Sequence, residues 1–223
     1  MRGGSERTAE SQPLAPALVL DAPPADFLDV GEVLSKARFD VRYHGSDNFV
    51  GTRVDGYEAP RCFLTRPACE ALGDVARAVE REGLSLLIYD CYRPARAVAH
   101  FARWAADAAD LKTRAEYYPE LEKTQLFSLG YIAARSGHSR GSTLDLTLAD
   151  RNGVPLDMGT PFDLFSTRSW PGSPDVTAEQ RANRDFLADI MGRHGFDPFH
   201  MEWWHFTLRG EPFPDTYFDF PIR

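Results

Sequence analysis

Cysteine is scarce in this chain and falls into no pattern. The three cysteines among 223 residues, Cys62, Cys69 and Cys91, include no CxxC pair, which argues against a thiolate zinc site. One disulfide among them is conceivable, but reduced and mostly buried thiols are the expectation. Cys91 as a nucleophile finds no His or Asn beside it in sequence. Long apolar runs are also missing, and nothing approaches the roughly 20 residues that a membrane span needs. Ala15–Leu20 is too short for the core of a signal peptide and is followed by Asp21, so a cytoplasmic location is expected. No Lys/Arg-rich run occurs, and the net charge is -8, which excludes nucleic acid as a partner because phosphate binding needs a basic surface. No internal repeat appears, and no linker-like composition interrupts the chain after Phe27. One domain over residues 25–223 is expected, behind a flexible leader over 1–24 rich in Pro, Ala and Ser.

What is present suffices for a continuous core: 43% of the residues are hydrophobic and 26% charged, ordinary values for a globular chain. Arg66–Glu82 reads as a helix. Thr65 can cap it, Pro67 suits its first turn, and Cys69, Leu72, Val75, Ala76 and Val79 form one stripe that Gly83 ends. Leu84–Tyr89 reads as a short buried strand and Pro94–Ala109 as a second helix. Leu144, Leu146 and Leu148 alternate with Thr143, Asp145 and Thr147, the period of a half-buried strand. Thr177 and Gln180 form a capping-box pair ahead of Phe186, Leu187, Ile190 and Met191, with Gly195 past the end. Trp203–Leu208 is a further strand. Helices and strands mix without a βαβ repeat, which favours an α+β layout.

Three segments carry chemistry. In Ser136–Asp145 (SGHSRGSTLD), His138 falls in a Gly/Ser-rich loop, and Asp145 lies on the following strand, on the face opposite the leucines. Alone, the two fit a surface pair as well as two-thirds of a metal site. In Glu202-Trp203-Trp204-His205, the acid and the imidazole can reach one centre only where the chain bends or bulges, since a regular strand would face them apart. Alone, this also fits two core tryptophans with a decorated edge. Tyr89–Pro94 (YDCYRP) places Arg93 after a buried strand and ahead of a helix, where it either reaches a cleft or pairs with Asp90 at the surface. Together the segments say more. Two His and one Asp give zinc three ligands and leave a fourth position for water, the arrangement of a hydrolytic site. Glu202 can then take the water's proton and pass it to a leaving amine, while Arg93 supplies a fixed charge for the oxyanion. His44, His100, His194 and His200 are expected to be non-ligands.

At these residues the chain resembles the D-alanyl-D-alanine dipeptidases, a family of zinc peptidases. The similar stretches are YDCYRP (89–94), SGHSRGSTLDLTL (136–148), DMGTPFD (157–163), EWWHFTL (202–208) and YFDFPIR (217–223), in the family's order. Tyr43 and Asn48-Phe49 are similar to its N-terminal region, less specifically. The chain departs from the family pattern at Gly137, a position that often holds a polar residue. The resemblance implies one α+β domain of the D,D-peptidase/Hedgehog-like zinc type, with a mainly antiparallel central sheet flanked by helices. It implies one Zn2+ per chain on His138, Asp145 and His205, with Glu202 as general base and Arg93 stabilising the intermediate. It further implies Asp163 as the receiver of the substrate's α-amino group and Ser136 as a nearby polar contact. A buried carboxylate suits a charged amine; read without the resemblance, Asp163 fits an exposed turn equally well. The expected reaction is hydrolysis of the small D,D-dipeptide D-Ala-D-Ala to two D-alanines. The wider superfamily offers as alternatives a D,D-carboxypeptidase or endopeptidase acting on peptidoglycan stems, and a non-catalytic zinc module.

Overall fold

The computed structural model describes residues 16–223. In chain order the strands are β1 (Leu18–Val19), β2 (Phe27–Asp29), β3 (Arg38–Phe39), β4 (Phe63–Thr65), β5 (Ser85–Asp90), β6 (Thr143–Ala149), β7 (Phe196–Pro198), β8 (His205–Leu208) and β9 (Phe218–Asp219). The longer helices are α1 (Arg66–Arg81), α2 (Ala95–Ala106) and α3 (Ala178–Arg193), with short turns of helix between them. Five strands form the central sheet in the order β3-β5-β6-β8-β7. Only the β3–β5 pairing is parallel, so the sheet is mainly antiparallel and the layout is α+β, as expected.

The helices form where their apolar stripes and end signals place them. On α1, Cys69, Leu72, Val75 and Val79 are buried against the sheet, and Gly83 follows in a left-handed conformation (φ 77°). Thr65 precedes α1 but does not cap it with its side chain, because its hydroxyl is engaged with Ser142 Oγ at 2.7 Å. The capping box of α3 is present in both directions: Thr177 Oγ1 accepts from the Gln180 amide, and Gln180 Oε1 accepts from the Thr177 amide. All seven residues of β6 are buried, not one face in two, because a second set of side chains covers the face opposite the leucines. Cys62, Cys69 and Cys91 are free and buried. Of the leader expected over 1–24, residues 1–15 lie outside the described residues. Leu18 and Val19 depart from that expectation, pairing in parallel with Phe218 and Asp219 through backbone hydrogen bonds such as Leu18 N–H to Tyr217 O.

Two features of the sheet bring polar side chains together at one end of it. Between Ile88 and Asp90 the β5–β6 register shifts, so that Ile88 opposes Leu146 while Asp90 opposes Asp145. This is the two-against-one count of a bulge, which re-aims the end of a strand. On the other side of β6, Asp145 directly opposes His205 of β8. Asp90, Asp145 and His205 therefore sit side by side across three neighbouring strands, within the ~5 Å reach of cross-strand neighbours.

Candidate active site and metal centre

His138 reaches the centre from a 3-10 turn, Gly137–Arg140, laid between β5 and β6. Ser136 caps that turn by accepting the His138 amide at 3.3 Å, and Gly141 ends it at φ 83°, where an added Cβ would lie 2.2 Å from the Phe27 ring. His138 Nδ1 donates to the Cys91 carbonyl at 2.7 Å. A carbonyl only accepts, so the proton sits on Nδ1 and the Nε2 lone pair faces the cleft. From β6, Asp145 places Oδ1 3.3 Å from that Nε2 and 3.1 Å from His205 Nδ1. The two imidazole nitrogens are 3.2 Å apart. Met201–Trp204 turns rather than extends, with the His205 amide donating to the Glu202 carbonyl at 3.4 Å, which supplies the expected bend and starts the strand at His205 instead of Trp203. Glu202 Oε2 thereby lies 3.4 Å from His205 Nδ1. Trp203 and Trp204 are both buried, as the core reading of the tryptophans expects, while Glu202 and His205 line the cleft beside them.

The donor set fits a divalent metal on its own geometry. Among the described residues, His138, Asp145 and His205 are the one group that could hold a metal ion. Their three ligand atoms form a nearly equilateral triangle. Zinc–ligand bonds of 2.0–2.1 Å at tetrahedral angles require edges of about 3.3 Å, close to those found. Asp145 Oδ1 is buried and has no hydrogen-bond partner, a costly state that a cation relieves. Burial alone would raise the Asp145 carboxyl, but the adjacent imidazoles of His138 and His205 outweigh it and hold it below the usual carboxylate range. The other four histidines stay outside this cluster, as expected.

Around the triangle stand the remaining charges. Arg93 is 12% exposed at its side chain, not at the surface. Nε donates to Asp90 Oδ2 at 2.9 Å, Nη2 lies 3.4 Å from Asp145 Oδ2, and the guanidinium sits over the rings of Tyr43 and Phe101. The Asp90 pairing and the cleft position turn out to be compatible. Asp163 is 5% exposed and accepts from the Tyr43 hydroxyl at 2.8 Å. It is the one non-glycine residue with positive φ (63°) among the described residues, a conformation costing of order 1–3 kcal/mol that its surroundings must impose. Burial, with the Asp145 charge added, pushes Asp163 up to about 8. Burial also pushes Glu202 up to about 8, with Asp145 and Asp163 reinforcing it and His205 opposing. Asp90, Asp145, Asp163 and Glu202 outnumber the buried guanidinium of Arg93, and burial answers the excess by favouring protons on Asp163 and Glu202. A dication and one ammonium group would offset it. Arg93, Asp145, Asp163 and Glu202 line a cleft of about 180 Å³, with Asp90 behind it.

Asp90 was not legible as a site residue, although YDCYRP contains it; its other oxygen accepts from the buried Tyr57 hydroxyl at 2.7 Å. Tyr43 as the partner of Asp163 was equally hidden, since 120 residues separate them.

The family model of the D-Ala-D-Ala dipeptidases, peptidase family M15, matches residues 24–223. The D-alanyl-D-alanine dipeptidase of Streptomyces coelicolor is 46% identical over 198 residues, covering 88% of this chain and 98% of that protein. That of Enterococcus faecium is 41% identical, covering 88% and 97%, and that of Escherichia coli 33% identical, covering 82% and 84%. Among solved structures, the Zn(II) complex of a VanY D,D-pentapeptidase mutant from a vancomycin-resistance cassette aligns at a TM-score of 0.41 and 14% identity, covering 70% of this chain and 78% of that one. The resemblance read from the motifs is borne out.

Proposed function

The chain belongs to the D-alanyl-D-alanine dipeptidase family, and from that premise we propose that it hydrolyses D-Ala-D-Ala to two D-alanines with one zinc ion on His138, Asp145 and His205. The observation that carries this reading is the triangle of ligand atoms around the unpartnered Asp145 oxygen. Zinc bound there would supply Lewis-acid chemistry, acidifying water near neutral pH and polarising a carbonyl.

The chain's own groups divide the rest of the work. Glu202, 3.4 Å from His205, takes a proton from the attacking water and returns it to the departing amine. Its raised proton affinity suits both transfers, since a base near the working pH neither holds its proton too loosely nor too tightly. Arg93 is fixed by Asp90 and by two aromatic faces, so its charge waits in place for the oxyanion without reorganising. Asp163 meets the substrate ammonium, which would replace the proton that burial favours on it. Ser136 holds the turn that carries His138 and offers a polar contact beside it.

Amine release from D-Ala-D-Ala, N-acetyl-D-Ala-D-Ala and L-Ala-L-Ala, each with and without a chelator, tests this. Turnover of the free D,D-dipeptide alone, abolished by the chelator, is expected. Equal rates on the acetylated dipeptide would shift the reading to a carboxypeptidase that does not clamp the free amine.

A further inference from the structure

A dipeptide is a zwitterion, and the groups assigned so far answer only one of its charges. On the dipeptidase reading, Asp163 meets the ammonium, but the carboxylate next to the scissile bond would enter a site already rich in carboxylates. It needs a cation that is not committed elsewhere. Arg93 is committed, bonded to Asp90 and close to Asp145. Arg140 is committed too, paired with Glu211 at 2.7 Å. Arg135 is different. It is half-buried and lines the same cleft as His138 and His205, and its guanidinium lies 4.3 Å from the centre of the Tyr217 ring. No carboxylate lies within 4 Å of it among the described residues.

Its place is suitable as well as its charge. Arg135 stands three residues before His138, at the rim where the cleft meets a second groove lined by Ala95, Val98, Ser139 and Tyr217. None of Tyr43, Asp163 and Glu202 lines that groove, so Arg135 marks a side of the metal centre apart from the ammonium-binding acid. Stacking on Tyr217 restrains the long side chain while leaving its N–H fork free, and a guanidinium fork matches a carboxylate with two parallel hydrogen bonds. We propose that Arg135 is the specificity residue that binds the substrate's C-terminal carboxylate, setting the dipeptide across the metal centre between Arg135 and Asp163.

Because the carboxylate is present before and during the reaction, its recognition should act on KM more than on kcat. The wild type is expected to prefer D-Ala-D-Ala over its C-terminal amide by about 10- to 100-fold in kcat/KM, the range of a charge-assisted hydrogen bond. Arg135→Ala should lose about that factor on the free acid, mostly as a raised KM, and almost none on the amide. Arg135→Lys should recover part of it. A wild type that turns over acid and amide equally overturns the role of Arg135 but leaves the dipeptidase reading intact. So does an Arg135→Ala variant that loses the same factor on both substrates. A wild type with no activity on D-Ala-D-Ala overturns both.

Discussion

The two faces of β6 are equally buried and built for opposite purposes. Leu144, Leu146 and Leu148 on one face, and Thr143, Asp145 and Thr147 on the other, are all at most 1% exposed. The leucines belong to the hydrophobic core, and their contribution is the area they remove from water. The other face buries polar atoms and must satisfy them. Thr143 does so against Thr207 at 2.9 Å, while Asp145 Oδ1 finds no protein donor at all. Burial therefore does not separate core from site in this strand, and an unmet hydrogen bond alone does not either, since Thr147 Oγ1 is also buried without a partner. What sets Asp145 apart is a buried carboxylate oxygen within 3.3 Å of two imidazole nitrogens. The leucines are finished by the fold, whereas Asp145 is finished only by something that enters the cleft.

That contrast can be broken at either face. The largest effects belong to the polar side. Glu202→Ala should lower kcat by about 10²–10⁴ while metal content stays at one per chain, whereas His205→Ala should lose metal and turnover together. Near-normal kcat in the first variant removes Glu202 as the base, and one tightly held zinc in the second means that the ligand set is wrong. On the apolar side, Leu146→Ala should cost about 2–5 kcal/mol in urea unfolding yet leave turnover per folded molecule intact. If it instead strips the metal without destabilising the fold, the two faces are not independent. A smaller effect concerns charge. The folded chain holds a proton on Asp163 up to about 8, while the unfolded chain releases it near 3.9, so this group favours folding most at low pH. Chelator-treated protein should lose stability as pH rises from about 4 to 8, and Asp163→Asn should flatten that slope. An unchanged slope would mean that Asp163 carries no displaced proton affinity.

Much of the fold and site is legible in the sequence, for reasons that differ by element. Helices α1 and α3 are readable because their stripes and end signals are local. The candidate site residues are readable because His138 and Asp145 lie seven residues apart, and Glu202 and His205 three apart, in unusual surroundings. Thr65 misleads because a hydroxyl at a helix start has other partners to choose from, here Ser142 across 77 residues. The burial of Arg93 and the clamp of Tyr43 on Asp163 are invisible for the same reason: both depend on segments that only the folded sheet and its loops bring together.

The shifted register between Ile88 and Asp90 acts as a parity switch for the stretch beyond it. Strand side chains alternate, so the one extra residue decides which side of the sheet receives Asp90, the last residue of β5, whose carboxylate holds the guanidinium of Arg93. Exchanging one side chain for another in this stretch perturbs one contact at a time. Deleting a single residue there would turn Asp90 to the other side of the sheet and take its carboxylate from the Arg93 guanidinium, while most of the sheet remained paired. For this enzyme the spacing of the YDCYRP segment is thus under a stricter constraint than its composition.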